Sequence, residues 1–285
     1  MTVDTQWRIS PGDLAARGLV AGATVLALVG AAWATGSFGG TPLDQVADGA
    51  LAPGATLLSP AASSAGIRVV IGIGLAAFAV AQAVPMPGSR ARVRAASLPM
   101  LLAMMLTFAW AFAVQHEALA ASILIDAGIL ASLGWAAAVL VRAPAASILE
   151  AAAVDLPVGL YLGWGAAATV SHTTALGAWW LGTPPDAGVA AAAGVLVGTG
   201  FLGIAIARDL SPAPVLAWAM TVGFVWVLAW IADGRLHGRP LDAIVGWTAL
   251  IAGGAVVLTT AVATVAAGIR ALRRARRRRG DVAER

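Results

Sequence analysis

The feature that most constrains this chain is a series of eight mostly apolar stretches. Each is close to the ~20 residues a helix needs to cross a ~30 Å hydrocarbon core. They run approximately over Ala15–Gly36, Ala62–Val84, Leu98–Val114, Leu119–Val141, Pro157–Trp180, Val189–Ala207, Val215–Ile231 and Ala243–Ile269. The third and seventh are short and the last is long, so their tilts are expected to differ. None alternates polar and apolar residues, which excludes a membrane β-barrel. Apolar residues make up 60% of the 285 and charged residues only 11%. So few charges cannot cover a soluble protein of this size, and the surface must face lipid. The sequence reads as an all-α, polytopic transmembrane bundle of about eight helices, a multi-pass protein of the cell membrane.

The breaks between stretches carry ordinary stop signals. Pro85-Met86-Pro87-Gly88, Pro184-Pro185-Asp186 and Ser211-Pro212-Ala213-Pro214 cannot continue a helix. One long loop, from about Ser37 to Ser59, is rich in Gly, Ala and Pro. The first stretch reads as an uncleaved anchor, because the polar segment before it is long and contains Asp4 and Asp13.

Orientation follows from arginine, since all 18 basic residues are Arg and none is Lys. With both termini in the cytoplasm, only Arg68, Arg235 and Arg239 fall on the outer side. The outer loops instead carry Asp44, Asp48, Glu117, Asp186, Asp233 and Asp242. The run Arg273-Arg274-Ala275-Arg276-Arg277-Arg278-Arg279 reads as a stop-transfer anchor against anionic lipid headgroups. A regulatory, partner-binding tail is the sharper alternative. Nucleic acid is not an expected partner, because no soluble domain offers a groove-reading face.

Several chemistries are excluded outright. Without Cys there is no disulfide, thiolate metal site, iron–sulfur cluster or cysteine nucleophile. Without Lys there is no Schiff base. His116, His172 and His237 fall in different segments without metal-binding spacing, and no Gly-x-Ser-x-Gly elbow occurs. Two intramembrane ionisable residues, Asp126 and His172, are too few for a catalytic constellation, so no enzymatic activity is expected.

Those two residues are nevertheless costly at membrane depth without a partner. Each lies about eight residues inward from the outer end of its helix, roughly 12 Å deep at 1.5 Å per residue. They are therefore expected to be level and able to pair. On the fifth stretch Trp164, Ala168, His172, Ala175 and Trp179 share one stripe by i+3/i+4 spacing, which sets His172 between two indoles. This reads either as a polar anchor in an aromatic pocket or as a structural pair fixing helix register. Tryptophan is unusually abundant, with 11 Trp beside 6 Phe and 1 Tyr. Most suit interfacial belts, but Trp110, Trp164 and Trp226 lie well inside their helices. Gly18/Gly22, Gly159/Gly163 and Gly194/Gly198 form Gly-x-x-x-Gly pairs that permit close packing within the chain or a homodimer.

The run Leu156-Pro157-Val158-Gly159-Leu160-Tyr161-Leu162-Gly163-Trp164-Gly165-Ala166-Ala167-Ala168-Thr169-Val170 resembles the signature helix of tryptophan-rich sensory proteins, relatives of the TspO/MBR (translocator protein) family. Leu57-Leu58-Ser59-Pro60-Ala61, Ala77-Phe78-Ala79-Val80-Ala81-Gln82 and Leu106-Thr107-Phe108-Ala109-Trp110 resemble that family's second- and third-helix motifs in the same order. Asp126 falls near the family's acidic residue on the fourth helix. Arg68 and Gly72 stand where the family has Trp and Tyr, Thr107 and His172 where it has Asn.

The resemblance implies a TspO-like five-helix core over residues 14–180 after a cytoplasmic segment at 1–13. A three-helix extension at 181–269 and an Arg-rich cytoplasmic tail at 270–285 follow. It further implies a hydrophobic small ligand held within the bundle, a tetrapyrrole (porphyrin or haem) being the family's ligand class. Trp110, Asp126, Trp164, Ala168 and His172 would line or support that site, with His172 anchoring a polar ligand group or a haem iron. The competing expectation is a proton-coupled secondary transporter that uses Asp126 and His172.

Overall fold

The computed structural model describes residues 11–83 and 90–283. The break expected at Pro85–Gly88 and the first ten residues of the N-terminal segment lie outside them. Among the described residues, eight helices are long and apolar enough to cross a membrane. They are α1 (Pro11–Ala34), α2 (Ile67–Ala83), α3 (Arg90–Gln115), α4 (Leu119–Arg142), α5 (Ile148–Leu181), α6 (Val189–Leu210), α7 (Pro214–Leu236) and α8 (Ala243–Ala283). Among the described residues no strand occurs.

Helix α5 starts before the expected Pro157 and α8 runs past the expected Ile269, while two further differences share one physical reason. The third and seventh stretches were expected to be short, yet α3 spans 26 residues and α7 spans 23. Each continues through an arginine that looks like a stop in sequence but whose guanidinium the fold engages with hydrogen bonds. Arg92, in the first turn of α3, donates from Nη1 to Glu150 Oε1 at 3.0 Å and from Nη2 to Asp155 Oδ1. Its remaining donors reach the carbonyls of Ala143 and Leu140 at the end of α4. Arg235, in the last turn of α7, is 1% exposed, and none of its hydrogen bonds among the described residues goes to a carboxylate. It donates instead to the carbonyls of Thr56, Pro53 and Arg239 at 3.1–3.3 Å.

Helix α5 begins irregularly. Ser147 caps it, accepting from the Glu150 backbone N–H at 3.1 Å. The chain then widens into a π turn over Ala151–Asp155 before the regular helix from Leu156. Pro157 accounts for the break, since it has no N–H for the carbonyl four residues back and its ring crowds that carbonyl.

Helices α5 and α7 form the centre. Of the most apolar window of each, 72% and 61% lies buried inside the protein, against 28–39% for the other six. They meet at backbone distance: a Cβ on Gly163 would overlap the Met220 carbonyl, and one on Gly223 would overlap that of Leu160. Of the three Gly-x-x-x-Gly pairs, only Gly159/Gly163 has this use. Gly18/Gly22 and Gly194/Gly198 have nothing within 4 Å of an added Cβ. Without a hydrophobic effect between helices in lipid, such contact is a main source of cohesion. Around this pair, α1 packs on α3, α3 on α4, α4 on α5, and α8 on both α6 and α7.

The long loop between α1 and α2 is ordered as a cap. Val46, Ala47 and Ala50 pack against Val114, Leu119 and Leu176, near the C-terminal end of α3, the start of α4 and the C-terminal part of α5. Gln115 and the Thr41 backbone exchange two hydrogen bonds of 2.7 Å. Helix α7 holds the far end of the loop through Arg235, through Trp226 Nε1 donating to the Ser64 carbonyl at 2.9 Å, and through the Trp230 carbonyl accepting from Ala61. Trp226, unexplained by a membrane belt, is thus a structural residue.

Candidate functional site

Beneath this cap lies a cavity of about 190 Å³. It exceeds an engineered apolar cavity of ~150 Å³ that accepts benzene. Its walls come from α1, α2, α3, α4 and α5, with Val227 of α7 behind them and Leu43, Leu51, Ser59 and Pro60 of the loop above. Most of the lining is aliphatic, including Leu28, Ile71, Leu75, Ile129 and Leu130. All five residues singled out from sequence (Trp110, Asp126, Trp164, Ala168 and His172) face it.

Asp126 and His172 meet directly. His172 Nδ1 lies 2.7 Å from Asp126 Oδ2, and their side chains are only 9% and 15% exposed. On the other side of the ring, Nε2 lies 3.3 Å from the Ser122 hydroxyl, one turn before Asp126 on α4. Asp126 fixes the imidazole's orientation, and Ser122 closes the row. With both ring nitrogens engaged, His172 could bind a haem iron only by releasing Ser122. The donor set therefore suits hydrogen bonding better than metal ligation. Among the described residues no group of three metal-ligating side chains occurs.

The indole beside His172 is not the one the stripe on α5 suggested. Trp110, from α3, stands edge-on to the imidazole with centroids 5.9 Å apart. Trp179 instead points outward and is 44% exposed. Helical spacing identifies residues on one face, but it cannot see which neighbouring helix fills the space beside them. The Trp110 Nε1 donor is buried and has no hydrogen-bond partner. Such groups are rare and costly, so an unsatisfied donor on a cavity wall marks a place for a ligand acceptor.

Thr107, Tyr161 and Arg68 also line the cavity, though none was among the site residues expected from sequence. Tyr161 and Thr107 join hydroxyl to hydroxyl at 2.5 Å, tying α5 to α3. Arg68, counted among the outer arginines, turns into the cavity with Cζ 5.8 Å from the Trp164 ring centroid. The signal available for it was its position in α2, where the resembled family carries an aromatic residue.

A family model described as TSPO-like protein matches residues 18–262, most of the chain. No curated protein and no solved structure matches it significantly.

Proposed function

The chain belongs to the TSPO-like protein family, as a multi-pass helical membrane protein, and we propose that it binds a hydrophobic small molecule in the cavity beneath its outer loop. The observation that carries this reading is the unsatisfied Trp110 N–H beside the Asp126–His172 pair, in a cavity whose lining is mostly apolar. A few placed polar groups in an apolar pocket are the usual design of a ligand site. The protein would sense or handle its ligand without turning it over. A tetrapyrrole is the ligand class suggested by kinship. Its macrocycle exceeds the enclosed space, so it would extend past the wall or require the bundle to open.

The proposed setting is a cell membrane with both termini inside and the arginine-rich end of α8 against anionic headgroups. Tryptophan fluorescence of the purified protein, titrated with protoporphyrin IX and with haem, tests the reading. Saturable quenching weakened in His172→Ala supports it. No saturable quenching of folded protein removes it.

A second reading has its own observation. Ser122, His172 and Asp126 form a hydrogen-bonded row inside the membrane span, a fit arrangement for moving a proton. Under this reading, proteoliposomes would show proton-dependent uptake that Asp126→Asn abolishes.

A further inference from the structure

The described residues include three arginines within the helical spans whose guanidinium groups turn inward, and two of them are held by direct hydrogen bonds, although the Nε of Arg235 is left without an acceptor. Arg92 has two carboxylates and two carbonyls, and Arg235 has three carbonyls. Arg68 has neither. Among the described residues it stands over the face of Trp164 and close to Tyr161, with no hydrogen bond to either. A cation–π contact offsets part of the cost of removing a guanidinium from water, but it satisfies none of its N–H donors. Asp126 lines the same cavity, but its carboxylate is engaged by His172 at 2.7 Å.

A structural reading of Arg68 would let it reach water past the outer end of α2. Arg68 is half-buried, and Leu43, Leu51, Ser59 and Pro60 of the loop line the same cavity, which confines its guanidinium to that space. The cavity thus presents two donors with no hydrogen-bond acceptor among the described residues, the half-buried Arg68 guanidinium and the buried Trp110 indole N–H, on a mostly apolar lining. A complementary molecule is apolar over most of its surface and carries a negatively charged acceptor. The planar guanidinium fork matches a carboxylate in both charge and geometry.

We infer that Arg68 anchors an anionic head group, so that the cavity selects acidic amphipathic ligands over neutral molecules of the same shape. This rests on the reading of the cavity as a ligand site. Selectivity arises because a neutral analogue displaces water from the guanidinium without giving it a charged acceptor in return.

The test is equilibrium binding to the protein in lipid nanodiscs, with uptake by empty nanodiscs subtracted. Two matched pairs serve as probes: protoporphyrin IX with its dimethyl ester, and 2-naphthoic acid with its methyl ester. The two scaffolds separate a macrocyclic from a compact acid. In at least one pair the acid should bind about tenfold or more tightly than its ester, the scale of one charge-assisted hydrogen bond. Arg68→Gln should remove the preference by weakening the acid alone, and Arg68→Lys should keep part of it. Circular dichroism melting confirms that each variant is folded. Equal binding of acid and ester, or a preference unchanged in Arg68→Gln, overturns the inference while leaving the cavity as a ligand site. Binding of none of the four probes overturns the ligand-site reading itself, and this inference with it.

Discussion

His172 and Asp126 sit 46 residues apart in sequence, on α5 and α4, and meet at 2.7 Å inside the bundle. Whatever else the pair does, it couples two helices at membrane depth. Removing one member leaves the other buried without its partner, which costs about 1–3 kcal/mol. Asp126→Ala and His172→Ala should each lower the melting temperature in detergent. The double variant should lose less than the sum of the two, because neither orphan then remains. Strict additivity would mean that the pair contributes no coupling.

The central contact should be intolerant of a single methyl group. A Cβ at Gly163 has no room beside the Met220 carbonyl, and the obstacle is backbone, which cannot rotate away. Gly163→Ala should push α5 from α7 and cost at least the ~1–3 kcal/mol typical of overpacking. Gly194→Ala, with open space around it, should stay within ~0.5 kcal/mol of the parent. Thermal unfolding of the two variants side by side checks the contrast. If Gly163→Ala melted like Gly194→Ala, the helices would not pack as closely as described.

These glycines also show what could be read from the sequence. Three Gly-x-x-x-Gly pairs look alike in one dimension, and only tertiary contact separates the one that packs from the two that do not. The spans were legible because hydropathy over ~20 residues is a local property. The Asp126–His172 pairing was legible because depth along a helix follows from rise per residue. Arg92 and Arg235 were not legible as parts of helices. The groups that hold them are up to 63 and 182 residues away, beyond the reach of any window. Arg68 was hidden by the same reasoning that gave the topology, which treats an arginine near a helix end as a surface charge. Trp110 was found, but its contact with His172 was not, because that contact depends on how α3 leans against α5.

Arg92 should be the most sensitive charged residue for folding. Arg92→Ala leaves Glu150 and Asp155, 1% and 3% exposed, facing each other without a cation. Breaking a buried ion pair from one side costs about 3–5 kcal/mol, enough to threaten the folded state. The expected outcome is loss of monodisperse protein on size-exclusion chromatography. Adding Glu150→Gln and Asp155→Asn to Arg92→Ala should restore much of it, since the repulsion and the uncompensated charge go together. Failure of that rescue would show that Arg92 matters mainly through its bonds to the carbonyls of Ala143 and Leu140.

Arg235 tests a different role, the attachment of the loop between α1 and α2. Its guanidinium spans Thr56, Pro53 and Arg239, so one side chain ties the loop over the cavity to the last turn of α7. Because the partners are carbonyls and not carboxylates, the fork geometry matters as much as the charge. A lysine ammonium is a point donor and cannot span them. Arg235→Ala should release the segment between α1 and α2, seen as faster amide hydrogen exchange over residues 50–60. The α5–α7 contact, built around Gly163 and Gly223, should keep its protection. Arg235→Lys should resemble the alanine variant more than the parent. If the lysine variant protected the loop fully, positive charge alone would hold it, and the carbonyl cradle would not be the cause of its order.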